Sequence, residues 1–66
     1  MRIKLPAQWR DKLANLPETS MGAQHVDIVL RDGRILRDIP VFNGEDCESR
    51  EPFDVLAIIN ITLHEK

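Results

Sequence analysis

Apolar and polar residues alternate along two stretches that flank an Asp-Gly pair near the middle of the chain. The stretches cover about residues 24–31 and 34–42, and alternation with a period of two is typical of β-strands. Asp32-Gly33 between them is a preferred turn for a β-hairpin. A third strand is predicted at about residues 56–64, where β-branched apolar residues alternate with polar ones.

The charges along the hairpin indicate which residues face each other. A two-residue turn would place Asp27 opposite Asp38, and like charges in that position are destabilising. A three-residue loop, with Gly33 in the left-handed conformation, places Asp27 opposite Arg37 instead. We therefore predict the second arrangement, in which the apolar pairs are Ile28–Leu36 and Val29–Ile35.

This arrangement gives the hairpin apolar side chains on both faces. Val29 and Ile35 lie on the face opposite to Ile28 and Leu36. An antiparallel sheet with one solvated face would not need the second apolar pair. That face must therefore be covered by a helix, by closure of the sheet into a barrel, or by another chain.

The last strand is predicted to be two-sided as well. One face is expected to hold Ala57, Ile59, Ile61 and Leu63, and the other Ile58, Asn60, Thr62 and His64. Ile59→Asp or Ile61→Asp is therefore expected to abolish folding, whereas Ile58→Lys is expected to disturb assembly. The predicted partner-binding residues are Val29, Ile35, Ile58, Asn60 and Thr62.

A short amphipathic helix is predicted at about residues 6–15. Proline is favoured at the first helical position, as Pro6 would be, and Pro17 is expected to end the helix. Apolar residues at spacings of four, four and three form one face, and they are Leu5, Trp9, Leu13 and Leu16. So short a helix must dock this face on the rest of the protein to be stable.

Two segments are predicted as connections. Residues 17–22 are rich in turn formers, and residues 43–52 form an acidic loop or distorted hairpin in which Asn43-Gly44 is a candidate tight turn. Pro40 inside the second strand indicates an edge or a bulge. The predicted fold is a single α+β domain over residues 1–66, with the helix packed on a small curled antiparallel sheet of three to five strands or on an SH3- or Sm-like barrel.

The composition is that of a folded protein with a small core. The chain has 66 residues, 42% hydrophobic and 30% charged, which argues against disorder. Cys47 is its one cysteine, so no disulfide can form within the chain, and a domain of this size has a thin margin of stability. No apolar run is long enough to span a membrane and no secretory signal is present, so a cytoplasmic location is expected.

The charge is unevenly distributed along the chain. Residues 1–37 hold seven Arg and Lys against four Asp and Glu, while residues 38–66 hold two against seven. The overall charge of −2 conceals this division. Two faces of opposite sign, together with the small core, favour association of identical chains as a homodimer.

The candidate chemical groups do not form a catalytic constellation. Cys47 lies among carboxylates, which raise a thiol pKa and oppose the thiolate that acts as nucleophile. His25 and His64 are 39 positions apart and lack the close ligand pair of a zinc site. The acidic residues Glu45, Asp46, Glu48 and Glu51 do not match a calcium loop and are expected to be solvated. We expect no enzyme activity, no metal and no cofactor.

Three arginines offer an alternative function. Arg31, Arg34 and Arg37 cluster at the hairpin tip, and guanidinium groups bind phosphate well. An acidic protein with few aromatic residues is poorly equipped for nucleic acid. RNA binding is therefore the alternative to a non-catalytic, self-associating protein-interaction module, and an accessory subunit of a larger enzyme is a third hypothesis.

The chain resembles two groups of proteins. The segment at residues 26–34, preceded by a short helix, resembles the start of Sm-like proteins, which are small RNA-binding β-barrels that assemble into rings. The glycine that bends the second strand in that family is Asp38 or Ile39 here, and its Arg-Gly signature is absent, so its uridine-binding residues are not carried over. The whole pattern also resembles short uncharacterised bacterial proteins that share a Leu-Pro-x-x-Trp helix and an Asp-Gly-Arg hairpin, and this resemblance brings no activity with it.

Overall fold

Five antiparallel strands and one helix make up the part of the chain that the structure describes, residues 1–16 and 23–64 of a computed structural model. In chain order these are β1 Arg2–Lys4, α1 Ala7–Ala14, β2 Ala23–Leu30, β3 Ile35–Phe42, β4 Asp46–Glu48, a 3-10 turn at Val55–Ala57, and β5 Ile58–Leu63. The strands form an open sheet in the order β1-β4-β3-β2-β5. The predicted α+β class is confirmed, and the predicted connection at residues 17–22 lies outside the described residues.

The hairpin of β2 and β3 has the predicted loop and the predicted apolar pairs. Gly33 has a φ of 96°, and the N–H of Leu30 donates to the carbonyl of Arg34 at 2.9 Å. Ile28 pairs with Leu36 and Val29 with Ile35. Matching of apolar partners across the strands therefore selected this register, as expected.

A β-bulge changes the pairing beyond these residues. Val26 pairs with Ile39 rather than with Asp38, so Arg37 and Asp38 together oppose Asp27. The prediction that Asp27 faces Arg37 alone is therefore corrected. Asp38 takes a left-handed φ of 56°, which Asp tolerates better than most residues. The bulge directs the N–H of Asp38 to Asp27 Oδ1 at 3.0 Å.

Pro40 lies in an inner strand, where its missing N–H does no harm. Every second residue of β2 bonds to β3 through its main chain. Leu30 is one of these residues, because its N–H donates to the carbonyl of Arg34, so the other bonded residues of β2 are found by counting back from it in steps of two. His25 and Pro40 are then a pair without mutual hydrogen bonds, so the nitrogen of Pro40 faces away from β2. β4 pairs with β3 only at Val41 and Phe42. No strand of the described chain therefore needs a donor at Pro40.

The predicted acidic loop contains a strand. Asn43 and Gly44 have φ values of 57° and 71° and make the expected tight turn, closed by the Glu45 N–H on the Phe42 carbonyl at 3.1 Å. β4 follows, and pairs on its other side with β1. Both short strands were missed. Each has one apolar residue between two charged ones, Ile3 in β1 and Cys47 in β4, which is too short a pattern to predict a strand.

A second bulge reverses the predicted faces at the start of β5. Val29 pairs with Asn60 and Leu30 with Ile58, which leaves Ile59 as an extra residue. Ile58 is 5% exposed and belongs to the core, whereas Ile59 is 55% exposed. The prediction of Ile58 as a surface residue beside Asn60 is therefore wrong, and so is the prediction of Ile59 as a residue that the fold needs on the same face as Ile61. The two adjacent isoleucines interrupt the alternation, and this interruption was the available signal for the bulge.

The helix docks on one face of the sheet with its predicted apolar side. It begins after Pro6, which is the N-cap residue, and ends at Ala14, within the predicted span. Leu5 and Leu13 are 1% exposed, and Trp9 and Leu16 pack against the same core. The strand residues of that core are Val26, Ile28, Leu30, Leu36, Ile39, Val41, Cys47, Ile58 and Ile61. In the described ranges, no helix has the length and apolar character needed to cross a bilayer.

The β5 bulge predicts that truncation of two neighbouring isoleucines changes the free energy of unfolding by very different amounts. Ile58→Ala should lower the free energy of unfolding by about 2–5 kcal/mol, because it empties a packed core site. Ile59→Ala, the matched control, should change it by about 0.5 kcal/mol or less, because that side chain is largely exposed. Urea denaturation of both variants measures this, and a larger loss for Ile59→Ala would contradict the bulge.

Candidate interaction site on the outer face of the sheet

The sheet has an outer face that α1 does not cover. Val26, Ile28 and Leu30 of β2 point toward the core that contains the helix residues. The alternate residues of β2 therefore lie on the other side, which we call the outer face. Their partners lie beside them: Ile35 and Asn60 flank Val29, and Thr62 flanks Asp27.

The end of this face near the Asp-Gly turn is apolar. Ile35 is 45% exposed and Ile59 is 55% exposed, and half-buried Val29 lies between their strands. The 3-10 turn adds Leu56, which is 74% exposed, and is held to the hairpin by the Arg31 N–H on the Ala57 carbonyl at 2.8 Å. We call Val29, Ile35, Leu56 and Ile59 the hairpin-end patch. Three of its four residues expose large apolar side chains to solvent, and Val29 is half-buried.

The other end of the outer face is charged, and Asp27 is its centre. Asp27 Oδ1 lies 2.8 Å from His64 Nδ1 and 3.0 Å from the Asp38 nitrogen. A carboxylate only accepts hydrogen bonds, so Nδ1 of His64 carries the proton. Arg37 Nη1 lies 3.6 Å from Asp27 Oδ2. One carboxylate therefore joins β2 to the bulge of β3 and to the residue that follows β5.

The surroundings of Asp27 stabilise its charged form. Burial raises the pKa of this carboxyl, since its side chain is 15% exposed. The Asp38 N–H, the His64 ring and the Arg37 guanidinium oppose this effect, and together they lower the pKa below its ordinary value of 3.8. Hydrogen bonds to a carboxylate favour ionisation in this way.

The two histidines lie next to each other across the β2–β5 pair. The backbone N–H of His64 donates to the backbone carbonyl of His25 at 2.8 Å. The ring nitrogen Nδ1 of His25 lies 2.8 Å from Asp38 Oδ1. Each ring is thus held by a different aspartate. Among the residues that the structure describes, no group of three His, Cys, Asp or Glu is placed to hold a metal ion.

The three hairpin arginines do not converge on one point. Arg34 lies 3.0 Å from Asp32 and 3.3 Å from Glu51, and Arg37 pairs with Asp27. Arg31 donates to the carbonyl of Leu56 at 3.3 Å. The Arg34 N–H, followed by its guanidinium charge, lowers the pKa of Asp32. Each arginine therefore has a contact within the chain that a phosphate would have to replace.

Cys47 and the acidic residues around it have structural contacts. The Cys47 side chain is fully buried, and burial, with a smaller effect of Glu48 and Asp46, raises the pKa of its thiol. Glu45 pairs with Arg10 at 3.2 Å, and Glu48 with Arg2 at 3.6 Å. These carboxylates have separate cationic partners and do not form one cluster.

The main-chain edge of β5 is partly covered. β5 is an edge strand, and the bonded pair of His25 and His64 implies that Ile61 directs its N–H away from β2. Asn60 Oδ1 accepts this N–H at 3.0 Å and also lies 2.8 Å from Lys12 Nζ. The predicted partner residue Asn60 is therefore exposed but engaged, and Thr62 is exposed.

Comparison of the chain with protein-family models, curated proteins and solved structures gives no match. The assignment of a function therefore depends on the geometry described above.

The Asp27 contacts predict a stability difference that depends on pH. The pKa of Asp27 is lowered by folding, so its contribution is present above pH 3.8 and is lost as the pH falls through the lower folded pKa. Asp27→Asn should cost about 1–3 kcal/mol at pH 7 and clearly less at low pH.

Urea denaturation at pH 7 and at acidic pH measures this difference. Asp11→Asn is the matched control, since Asp11 is an exposed residue of α1. Equal losses for Asp27→Asn at both pH values would contradict a stabilising role of the ionised carboxylate.

Proposed function

We propose that this protein is a non-catalytic interaction module that self-associates as a homodimer through the outer face of its sheet. The observation that carries the proposal is the hairpin-end patch. Three of its four side chains, Ile35, Leu56 and Ile59, are between 45% and 74% exposed. Grouped apolar exposure of this kind is typical of interaction surfaces.

A second copy is the partner that we favour. In a two-fold dimer the same patch meets itself, so apolar residues would cover apolar residues. The charged end of the outer face, centred on Asp27, would then form a polar rim. Burying an exposed Ile or Leu contributes about 1.5–3 kcal/mol, and association costs at least about 4 kcal/mol. The dimer is therefore expected to be weak and to depend on concentration.

The alternatives have less support. RNA binding would use Arg31, Arg34 and Arg37, and each of them already has a contact within the chain. An accessory subunit would use the same hairpin-end patch against a different protein. It differs from the homodimer in the partner and not in the surface.

An SH3- or Sm-like architecture is also a proposal. A 3-10 turn leads into β5, which pairs antiparallel with β2, and bulges at Asp38 and Ile59 bend the sheet. These features would suit a barrel that is incomplete between β1 and β5. A cytoplasmic location is proposed as well, and is supported by the single free thiol.

Light scattering coupled to size exclusion, across a dilution series, tests the homodimer. The natural chain should approach twice its monomer mass of 7.6 kDa at high concentration and should dissociate on dilution. Ile59→Lys should be a monomer throughout, because a charge in the patch opposes its burial. Its thermal midpoint should equal that of the dilute, monomeric natural chain, since dimerisation itself stabilises the folded state.

Gln8→Lys is the matched control, with the same added charge on the exposed side of α1. It should associate like the natural chain. A natural chain that stays monomeric at every concentration, or an Ile59→Lys variant that still dimerises, would reject this proposal.

A further inference from the structure

β3 has a second side that no strand covers along most of its length. β4 pairs with β3 only at Val41 and Phe42 and is itself only three residues long. A groove of about 250 Å³ lies beside the uncovered part. It is lined by Ile35, Leu36, Arg37, Ile39, Ser49, Arg50 and Glu51. One wall is therefore β3 and the other is the segment at residues 49–51.

The main chain of β3 offers hydrogen-bonding groups to this groove. Val29 and Ile35 are a pair without mutual hydrogen bonds, since Leu30 is bonded to the carbonyl of Arg34. The N–H and carbonyl of Ile35 therefore face away from β2, toward the groove. Pro40 ends the usable edge, because its nitrogen has no hydrogen to offer.

The groove combines apolar residues with positive charge. Leu36 and Ile39 are 8% and 4% exposed, while Ile35 is 45% exposed at the mouth. Arg37 on the β3 wall has a side chain that is 66% exposed. Arg50 on the opposite wall is exposed and has no ion-pair partner within residues 1–16 and 23–64.

Glu51 is the one carboxylate among the described residues that line the groove, and its Oε1 already lies 3.3 Å from Arg34 Nη1. Arg50 is therefore the cation of the groove that is left to bind an oxyanion. The largely exposed guanidinium of Arg37, which lies 3.6 Å from Asp27 Oδ2, adds positive charge on the facing wall. Guanidinium groups recognise carboxylates with paired donors, which gives both affinity and orientation.

We propose that this groove binds an extended acidic segment of a partner protein, which adds to the sheet alongside β3. Main-chain bonds to Ile35 fix the strand, as in other cases of β-augmentation. Side chains two positions apart share one face of a strand. An apolar residue of the partner beside Ile35 therefore places a carboxylate, two positions away, beside Arg37 and Arg50.

The other edges of the described sheet suit such a partner less well. Asn60 and Lys12 cover the N–H of Ile61 on β5, and a covered edge opposes strand addition. β1 has only three residues, so it offers a short edge. The uncovered side of β3 is therefore the edge that we assign to a partner strand.

Selection from a phage-displayed library of random peptides, on the immobilised full chain, tests this proposal. Enriched peptides should share an acidic residue two positions from an apolar one. The best peptide, made synthetically, should shift the amide resonance of Ile35 and slow its hydrogen exchange. Arg50→Glu should weaken its binding by at least about tenfold, because one attraction becomes a repulsion.

Arg31→Glu is the matched control, since it makes the same change of charge and Arg31 is not among the residues that line the groove, and it should bind like the natural chain. Thermal melts establish that both variants are folded. A library that yields no enriched peptide, enrichment without acidic residues, or full binding by Arg50→Glu would overturn the proposal. Dissociation of the homodimer by Arg50→Glu would also overturn it, because the groove would then hold a second copy of the chain.

Discussion

Burial of one face of β2 is the constraint on which the rest of the structure depends. β2 is bonded to β3 on one side and to β5 on the other, and Val26, Ile28 and Leu30 are at most 1% exposed. Every neighbour must bring apolar residues to that face. A change of register by one residue would turn the core of either neighbour toward solvent. The helix then completes the core from the same side.

Two bulges reconcile this constraint with the sequences of the neighbouring strands. At Asp38 the extra residue keeps both Leu36 and Ile39 in the core, although they are three positions apart. At Ile59 it does the same for Ile58 and Ile61. Strict alternation would have exposed one member of each pair. The bulges thereby also determine which polar and apolar groups appear on the outer face, including the left-handed Asp38 that donates to Asp27.

The patterns of residues close together along the chain predicted those parts of the fold in which several such patterns favour the same structure. The hairpin loop, the register of Ile28 and Leu36, and the helix face built on Leu5 and Leu13 were predictable for this reason. β1 and β4 were not, because β1 is stabilised by its pairing with β4, and β4 by its pairing with β1 and β3, and not by patterns of their own. The candidate site was predicted in part. Ile35 is exposed as expected, but the positions of Ile58 and Ile59 depend on a bulge, which two adjacent isoleucines signal and the pairing of Leu30 with Ile58 locates.

The cover on the edge of β5 also limits how copies of this chain can assemble. The Ile61 N–H donates to Oδ1 of Asn60, and Nζ of Lys12 in the helix donates to the same oxygen. A chain with two equally free sheet edges can join head to tail without end, and such heterologous contacts build open filaments. Here one N–H of the β5 edge is already taken, and the uncovered side of β3 is bordered by residues 49–51. Both features oppose the unlimited edge-to-edge addition of identical chains, which is the route from a short β-strand to a fibre.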